Sequence, residues 1–248
     1  MALKPGPWMK DALEVVMAWQ LRNPSITDPT QAIEEVKKTR KGELTSRLIS
    51  RFLSLTIRPL FLQTDSSSSS PFPTSSKTSK GVAKTWRDPE NAYIVEILRW
   101  CLEAASEEDV KREFHLFRVP ILQMLDSSEL KWKAQACDLI ARFVSVAPKD
   151  LLSSHGYRKL FAEDLFNLFT YLPSLTPEAD SVLVFDRAMP ALLTLSTLEE
   201  VGDDKMADRI VREAVLAPFF TLSSTSTYPA LTTTILSHLP SLLSMLGV

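Results

Sequence analysis

Apolar positions along this chain return with the 3.6-residue period of a helix surface, and no segment alternates at the two-residue period of a strand. Over residues 43–57 Leu44, Leu48, Phe52 and Leu55 recur at i, i+4, i+8 and i+11, which predicts an amphipathic helix. Residues 8–21 read as an earlier helix. The Arg58-Pro59 step is expected to end the 43–57 helix, because proline has no N–H to donate and its ring clashes with the preceding turn. Beyond residue 86 the pattern is almost wholly helical. Asp88 reads as an N-cap and Pro89 as a first helical residue, ahead of a stripe of Ile94, Ile97, Leu98, Cys101 and Ala105. Further helices are predicted over 109–125 (Val110, Phe114, Phe117, Ile121, Met124), 129–146 (Ala136, Leu139, Ile140, Phe143), 158–171, 178–198, 204–221 and 228–247.

Taking every second start, 88, 129, 178 and 228, gives steps of 41, 49 and 50 residues, near the pitch of helical-hairpin repeats. The fold class expected is all-α, a HEAT/armadillo-like α-solenoid of antiparallel helical hairpins. The stretch VPILQMLDSSELKWKAQACDLIARF fits one such unit. Pro120 lies inside its first helix, Asp126 at the turn as a cap for the second helix, Lys131 and Lys133 at the start of that helix, and Ala134 or Ala136 where hairpins pack closely. Residues 64–85, TDSSSSSPFPTSSKTSKGVAKT, have no periodicity and too few apolar side chains to offset ordering entropy, so a disordered loop is expected there. The organisation predicted is N-terminal helices over 1–63, the Ser/Pro-rich loop over 64–85 and the helical repeat region over 86–248.

Composition agrees: 45% of the residues are hydrophobic, enough for a sizeable core, and 23% are charged. With 6 glycines, and neither G-x-G-x-x-G nor G-x-x-x-x-G-K-[ST], the familiar nucleotide-binding loops are absent from the sequence. Charges interrupt the N-terminal apolar run before a signal core forms, and the most apolar stretch, AVLAPFF, is far short of the ~20 residues of a membrane span. Two cysteines and no secretory pattern suggest a reducing compartment. Residues 1–87 hold 14 Lys+Arg against 7 Asp+Glu, leaving 14 against 23 for the remainder. The densest basic cluster, Lys37, Lys38, Arg40 and Lys41, has no interleaved aromatics and follows Glu34 and Glu35, so a solvated helix face is favoured over nucleic-acid binding.

Candidate chemistry is sparse. His115, His155 and His238 fall on different elements with no second ligand at metal spacing. Cys101 and Cys137 sit on apolar stripes, as structural thiols do. Glu107-Glu108-Asp109 and Asp203-Asp204 precede helices, where they complement the helix dipole. Trp86, Trp100 and Trp132 read as core or groove anchors. An enzyme built on His155 or Glu163-Asp164 is the rival reading, and no cofactor, metal or catalytic residue is expected.

The sequences KWKAQACDLIARFVSVAP from Lys131, YRKLFAEDLFNLFTYLPSLTPEADSVLVFDRAMPALLTL, DRIVREAVLAPFF and LPSLLSMLGV, with IRPLF at Ile57–Phe61 upstream, resemble the second Tel-two-interacting protein family over roughly residues 44–248. The first 40 residues match nothing recognisable. Members of that family usually continue past the Leu-Gly at Leu246-Gly247, so the resemblance implies a C-terminally truncated solenoid. It also implies a non-catalytic subunit of the TTT co-chaperone complex that acts with Hsp90 in the maturation of phosphatidylinositol-3-kinase-related kinases. The partners implied are the larger Tel-interacting helical-repeat subunit, a Tel-two-type subunit, Hsp90-linked factors and the kinases, in cytoplasm and nucleus. A generic HEAT-repeat adaptor in another complex, or a nucleic-acid-binding helical repeat, are the alternatives.

The segment YLPSLTPE, residues 171–178, reads as a rigid inter-helix turn: Pro173 stops one helix, Thr176 caps the next, Pro177 begins it, and Glu178 and Asp180 lie in its first turn. In a solenoid, partners meet outer helix faces, connecting turns or a terminal hairpin. The candidate partner-binding residues are accordingly Trp132 and Lys133, the turn residues Leu172, Pro173 and Leu175, then Arg209 and Arg212, and Leu236 and Leu243 on a final helix that is apolar all round. Such a helix requires cover: further helices, a second copy, a large partner, or its own neighbour DRIVREAVLAPFF.

Overall fold

The computed structural model describes residues 41–62, 85–91, 93–154, 156–198, 205–223 and 228–246, and every regular element among them is helical. The helix expected over 8–21, the basic cluster apart from the backbone of Lys41, the serine-rich stretch apart from Thr85, and His155, Asp203 and Asp204 lie outside the described residues. The chain divides into two compact units, Met1–Pro120 and Ile121–Val248.

In the first unit, α1 (Lys41–Arg51) runs through a π-helical segment, Phe52–Ile57, into α2 (Arg58–Leu62). The helix therefore passes through Pro59 instead of stopping before it. The π winding supplies the reason: the Arg58 N–H bonds the Leu53 carbonyl five residues back, so the ladder is already rerouted where proline would break an α-helical bond. The wider winding also corrects the stripe. Ile49, Leu53, Ile57 and Phe61 are all fully buried at four-residue steps, which in a pure α-helix would drift by about 40° each. Leu55, placed on the stripe by its spacing, faces solvent.

Asp88 and Pro89 open a 3₁₀ turn, Pro89–Asn91, rather than the helix itself, and α3 (Tyr93–Ala104) follows with Ile94, Val95, Leu98, Cys101 and Leu102 inside. The indole of Trp86 is fully buried and stacks on Phe61 at 5.0 Å and 9°, so residues on either side of the serine-rich stretch are held together. The helix predicted over 109–125 is two: α4 (Glu107–Arg112) and α5 (Phe114–Leu125), divided at Glu113. Pro120 lies buried inside α5, and the division between the units falls there.

In the second unit, α6 (Leu130–Val146), a short α7 (Lys149–Ser154) that periodicity did not reveal, and α8 (Tyr157–Leu168) lead to α9 (Glu178–Ser196). Helix α9 buries Ser181, Val184, Phe185, Ala188, Met189, Ala191, Leu192 and Leu195, a stripe at three- and four-residue steps broad enough to meet several neighbours. It packs against α6, whose Ala134, Ala136 and Cys137 allow close approach, and also against α8 and α12. Fully buried Phe143, Phe161 and Phe185 each contribute roughly 1.5 to 3 kcal/mol of apolar burial. Pro190 lies within α9 on its exposed side, away from these contacts.

A second π-helical segment, Ile210–Leu216, joins α10 (Lys205–Arg209) to α11 (Ala217–Ser223), with Ala217 bonding Arg212 five residues back just before Pro218. The same device thus carries two helices through prolines. The final helix predicted over 228–247 is broken at His238, ahead of Pro240, into α12 (Pro229–Ser237) and α13 (Leu239–Leu246). Helix α12 packs on α9 and α11, and α13 on α10 and α12, so this hairpin is covered in part by its own neighbours. Leu231, Ile235 and Leu242 are buried while Leu236 and Leu243 remain 47% exposed. No described helix is long and apolar enough to cross a membrane.

Candidate partner-binding surface

The turn after α8 is tied by its own backbone. Leu175 N–H and Thr176 N–H both donate to the Leu172 carbonyl at 3.1 Å. Helix α8 ends at Leu168, short of the expected 171, and Pro177 rather than Thr176 occupies the N-cap of α9, with no side-chain cap. Asp180 and Ser181 N–H groups instead donate to the Pro177 carbonyl at 3.0 Å. Glu178 has a role its sequence position hid. Its Oε1 accepts from the backbone N–H groups of Ala230 at 2.9 Å and Leu231 at 3.2 Å, capping α12, which begins with Pro229. The Tyr228 hydroxyl lies 3.5 Å from the Pro173 carbonyl. Leu172 and Pro173 are half-buried by these arrangements, while Leu175 is 96% exposed.

Trp132 is buried, its Nε1 donating to Glu129 at 3.3 Å, with the Lys131 ammonium 4.9 Å over its ring. Lys133 reaches back along the turn to donate to the Leu125 carbonyl at 2.6 Å, and stands 5.9 Å over the Tyr171 ring. It lines a groove of about 480 Å³ with Leu122, Asp126, Leu160, Asp164 and Asn167. Asp126 does not cap α6: the N-cap is Glu129, without a side-chain bond, and Asp126 lies exposed at the groove.

Arg209 grips Glu163 with both terminal nitrogens, at 2.7 and 2.9 Å, holds Glu213 at 3.0 Å through Nε, and lies 4.0 Å over Phe166. The guanidinium holds Glu163 below the usual carboxylate range, and Glu163 in turn raises Arg209. Arg212 is exposed and paired with Asp208. Of the nine candidates, Leu175, Leu236 and Leu243 are the apolar side chains presented to solvent, while Arg209 and Trp132 are engaged within the fold.

The groups weighed for catalysis are dispersed. Glu163 and Asp164 are adjacent in sequence, yet one meets Arg209 and the other the groove. Burial pushes the Cys101 thiol up to about 12 and raises Cys137 as well, which keeps both protonated and unreactive. No group of three His, Cys, Asp or Glu among the described residues is placed to hold a metal. In the first unit Ser106 forms a capping box with Asp109, whose carboxylate also takes Arg112 at 2.7 Å. Burial would raise Asp109, but bonds from Ser46, Ser106 and Arg112 outweigh it and hold the carboxyl below its ordinary value. Arg112 also pairs with Glu113, and Arg47 pairs with Glu43 on α1.

A family model described as the Tti2 family matches residues 13–248. The chain belongs to the Tti2 family. Its match begins at residue 13, so the family extends through most of the N-terminal segment that resembled nothing and starts well before the expected residue 44. Membership supports, in general terms, a role as a subunit of the TTT complex. A stretch of 40 residues is 60% identical to a protein called nucleotidyltransferase lcsQ from Purpureocillium lilacinum, covering 16% of this chain and 7% of that protein. No solved structure matches the chain.

Proposed function

We propose that this chain is a non-catalytic scaffold subunit of the TTT co-chaperone, acting with Hsp90 in the maturation of phosphatidylinositol-3-kinase-related kinases in cytoplasm and nucleus. Family membership across residues 13–248 carries the reading. The 40 residues shared with a nucleotidyltransferase are 7% of that protein, too little to transfer a reaction. The packing order supports a solenoid: α6, α9 and α12, which begin at three of the four repeat starts, lie one against the next, as equivalent helices of successive repeats do. Exposed Leu175, Leu236 and Leu243 supply apolar contact positions on a turn and a terminal hairpin.

Gentle purification of the tagged chain from its host is expected to recover the larger helical-repeat subunit, the Tel-two-type subunit and Hsp90-linked factors, and depletion of the chain is expected to lower kinase abundance. Recovery of the chain alone, with the other subunits abundant in the same lysate, would refute the reading. Imaging of the tagged chain tests its placement in both compartments.

A further inference from the structure

We propose that residues 8–21 form an amphipathic helix that lies on the outer face shared by α1 and α3 and closes that end of the fold. Two apolar stripes run along α1 and its π-helical continuation. Ile49, Leu53, Ile57 and Phe61 make the first and are fully buried. The second, Leu44, Leu48, Phe52 and Leu55, is half-buried at Leu44 and Leu48 and 57% exposed at Leu55. Helix α3 repeats the arrangement: beside its buried face, Tyr93 and Ile97 are half-buried and Trp100 is 41% exposed. Phe52 meets Trp100 edge to face at 5.8 Å and 84°, so the two outer stripes adjoin. Single exposed apolar side chains are ordinary on a surface, but a seam continued over two packed helices calls for cover.

Three observations name the cover as the chain's own N-terminal stretch. Met9, Leu13, Val16 and Trp19 share one face of a helix over 8–21, with Lys10, Asp11 and Glu14 on the other. The apolar face suits the seam, and the charged face supplies the polar outer surface that the terminal element of a helical stack requires. The compact unit that contains α1 and α3 extends to Met1, and the family match over residues 13–248 takes in most of the stretch together with them. The connection also reaches. The 19 residues 22–40 lie between the stretch and α1, and even wound as a helix they span about 28 Å, against about 17 Å for the seam from Leu44 to Leu55. A segment so tethered acts at high effective concentration, whereas a second copy or another subunit must bind from solution. With the face closed by the chain itself, Leu55 and Trp100 drop out of the partner surface.

The test uses the full chain with the photo-crosslinker p-benzoylphenylalanine in place of Leu55, a position exposed enough to accept it. Unlabelled and nitrogen-15 protein are mixed, irradiated, digested and mapped by mass spectrometry, alone and after co-expression with the larger helical-repeat subunit. The expected product joins position 55 to residues 8–21 of the same isotopic chain in both samples. Leu13→Asp/Val16→Asp is expected to reduce it by about tenfold or more, since each substitution removes an apolar burial. A product joining light and heavy chains would assign the face to a second copy. Replacement of the 8–21 product by one with the larger subunit would assign it to that partner, and no product in 8–21 would leave the segment elsewhere. Each of these results overturns the proposal, as does an undiminished product in the double variant. The unsubstituted segment carries the decision, so poor folding of that variant does not blur it.

Discussion

Replacing Arg209 with alanine removes four contacts at once: two nitrogens on Glu163, one on Glu213, and the stack on Phe166. Arg209 is 31% exposed and Glu163 47%, so water screens the pair, and an exposed ion pair contributes about 0.2 to 1 kcal/mol. Bidentate geometry places this one near the upper end, and an exposed cation–π contact adds about 0.5 to 1 kcal/mol. The expected cost of Arg209→Ala is about 1.5 kcal/mol, of which about 1 kcal/mol is coupling to Glu163. Urea unfolding followed by far-ultraviolet circular dichroism, on Arg209→Ala, Glu163→Ala and the double variant, measures both quantities. The coupling should shrink in molar salt. Additive single losses, with coupling below about 0.3 kcal/mol, would show that the pair does not hold α10 to α8.

Glu178→Ala strips the cap from α12 and is expected to cost about 1 kcal/mol, with hydrogen exchange faster at Ala230 and Leu231 than in wild type; unchanged exchange there would refute the capping role. Asp109 titrates below its unfolded value of about 3.9, so the unfolded chain takes up the proton first as pH falls. Its stabilisation is complete above about pH 5 and lost as pH drops through the folded pKa. Asp109→Asn should flatten that part of the stability curve, and an unaltered acid limb would count against it. Both cysteines are fully buried with raised pKa values, so a thiol reagent at pH 8 should label neither in the native chain and both after unfolding; rapid native labelling of either would contradict their burial.

Periodicity revealed much of what α9 buries, Phe185, Met189 and Leu192 among it, since that stripe depends only on local spacing, but it misplaced Leu55. It did not reveal where a proline is absorbed. Pro59 and Pro218 each follow a π-helical segment that reroutes the ladder, and the rule that proline ends a helix has no term for that winding. Ser106 stands three residues before Asp109 in capping-box spacing, a local signal, yet Glu107-Glu108-Asp109, expected ahead of a helix, instead form the first turn of α4. The groove and the clamp were not legible. Glu163 meets Arg209 across 46 residues and Glu178 caps α12 across 52, and a stripe specifies a buried face without naming the helix that covers it.

In the turn over residues 171–178 a rigid connector would not exclude a contact surface. Its backbone is fixed on one side by two bonds to the Leu172 carbonyl and on the other by Glu178, which α12 holds in place by donating two N–H groups. Between these anchors Leu175 projects almost wholly into solvent. Binding by a flexible loop costs the ordering entropy of its backbone, about 1 to 2 kcal/mol per residue. Here folding has already ordered the turn, so a partner covering Leu175 immobilises little beyond one side chain. The bonds that tie the connector also fix the backbone that carries this leucine. Glu178 ties the turn to the terminal hairpin, so loosening α12 with Glu178→Ala is expected to weaken any contact a partner makes at Leu175 without altering that residue.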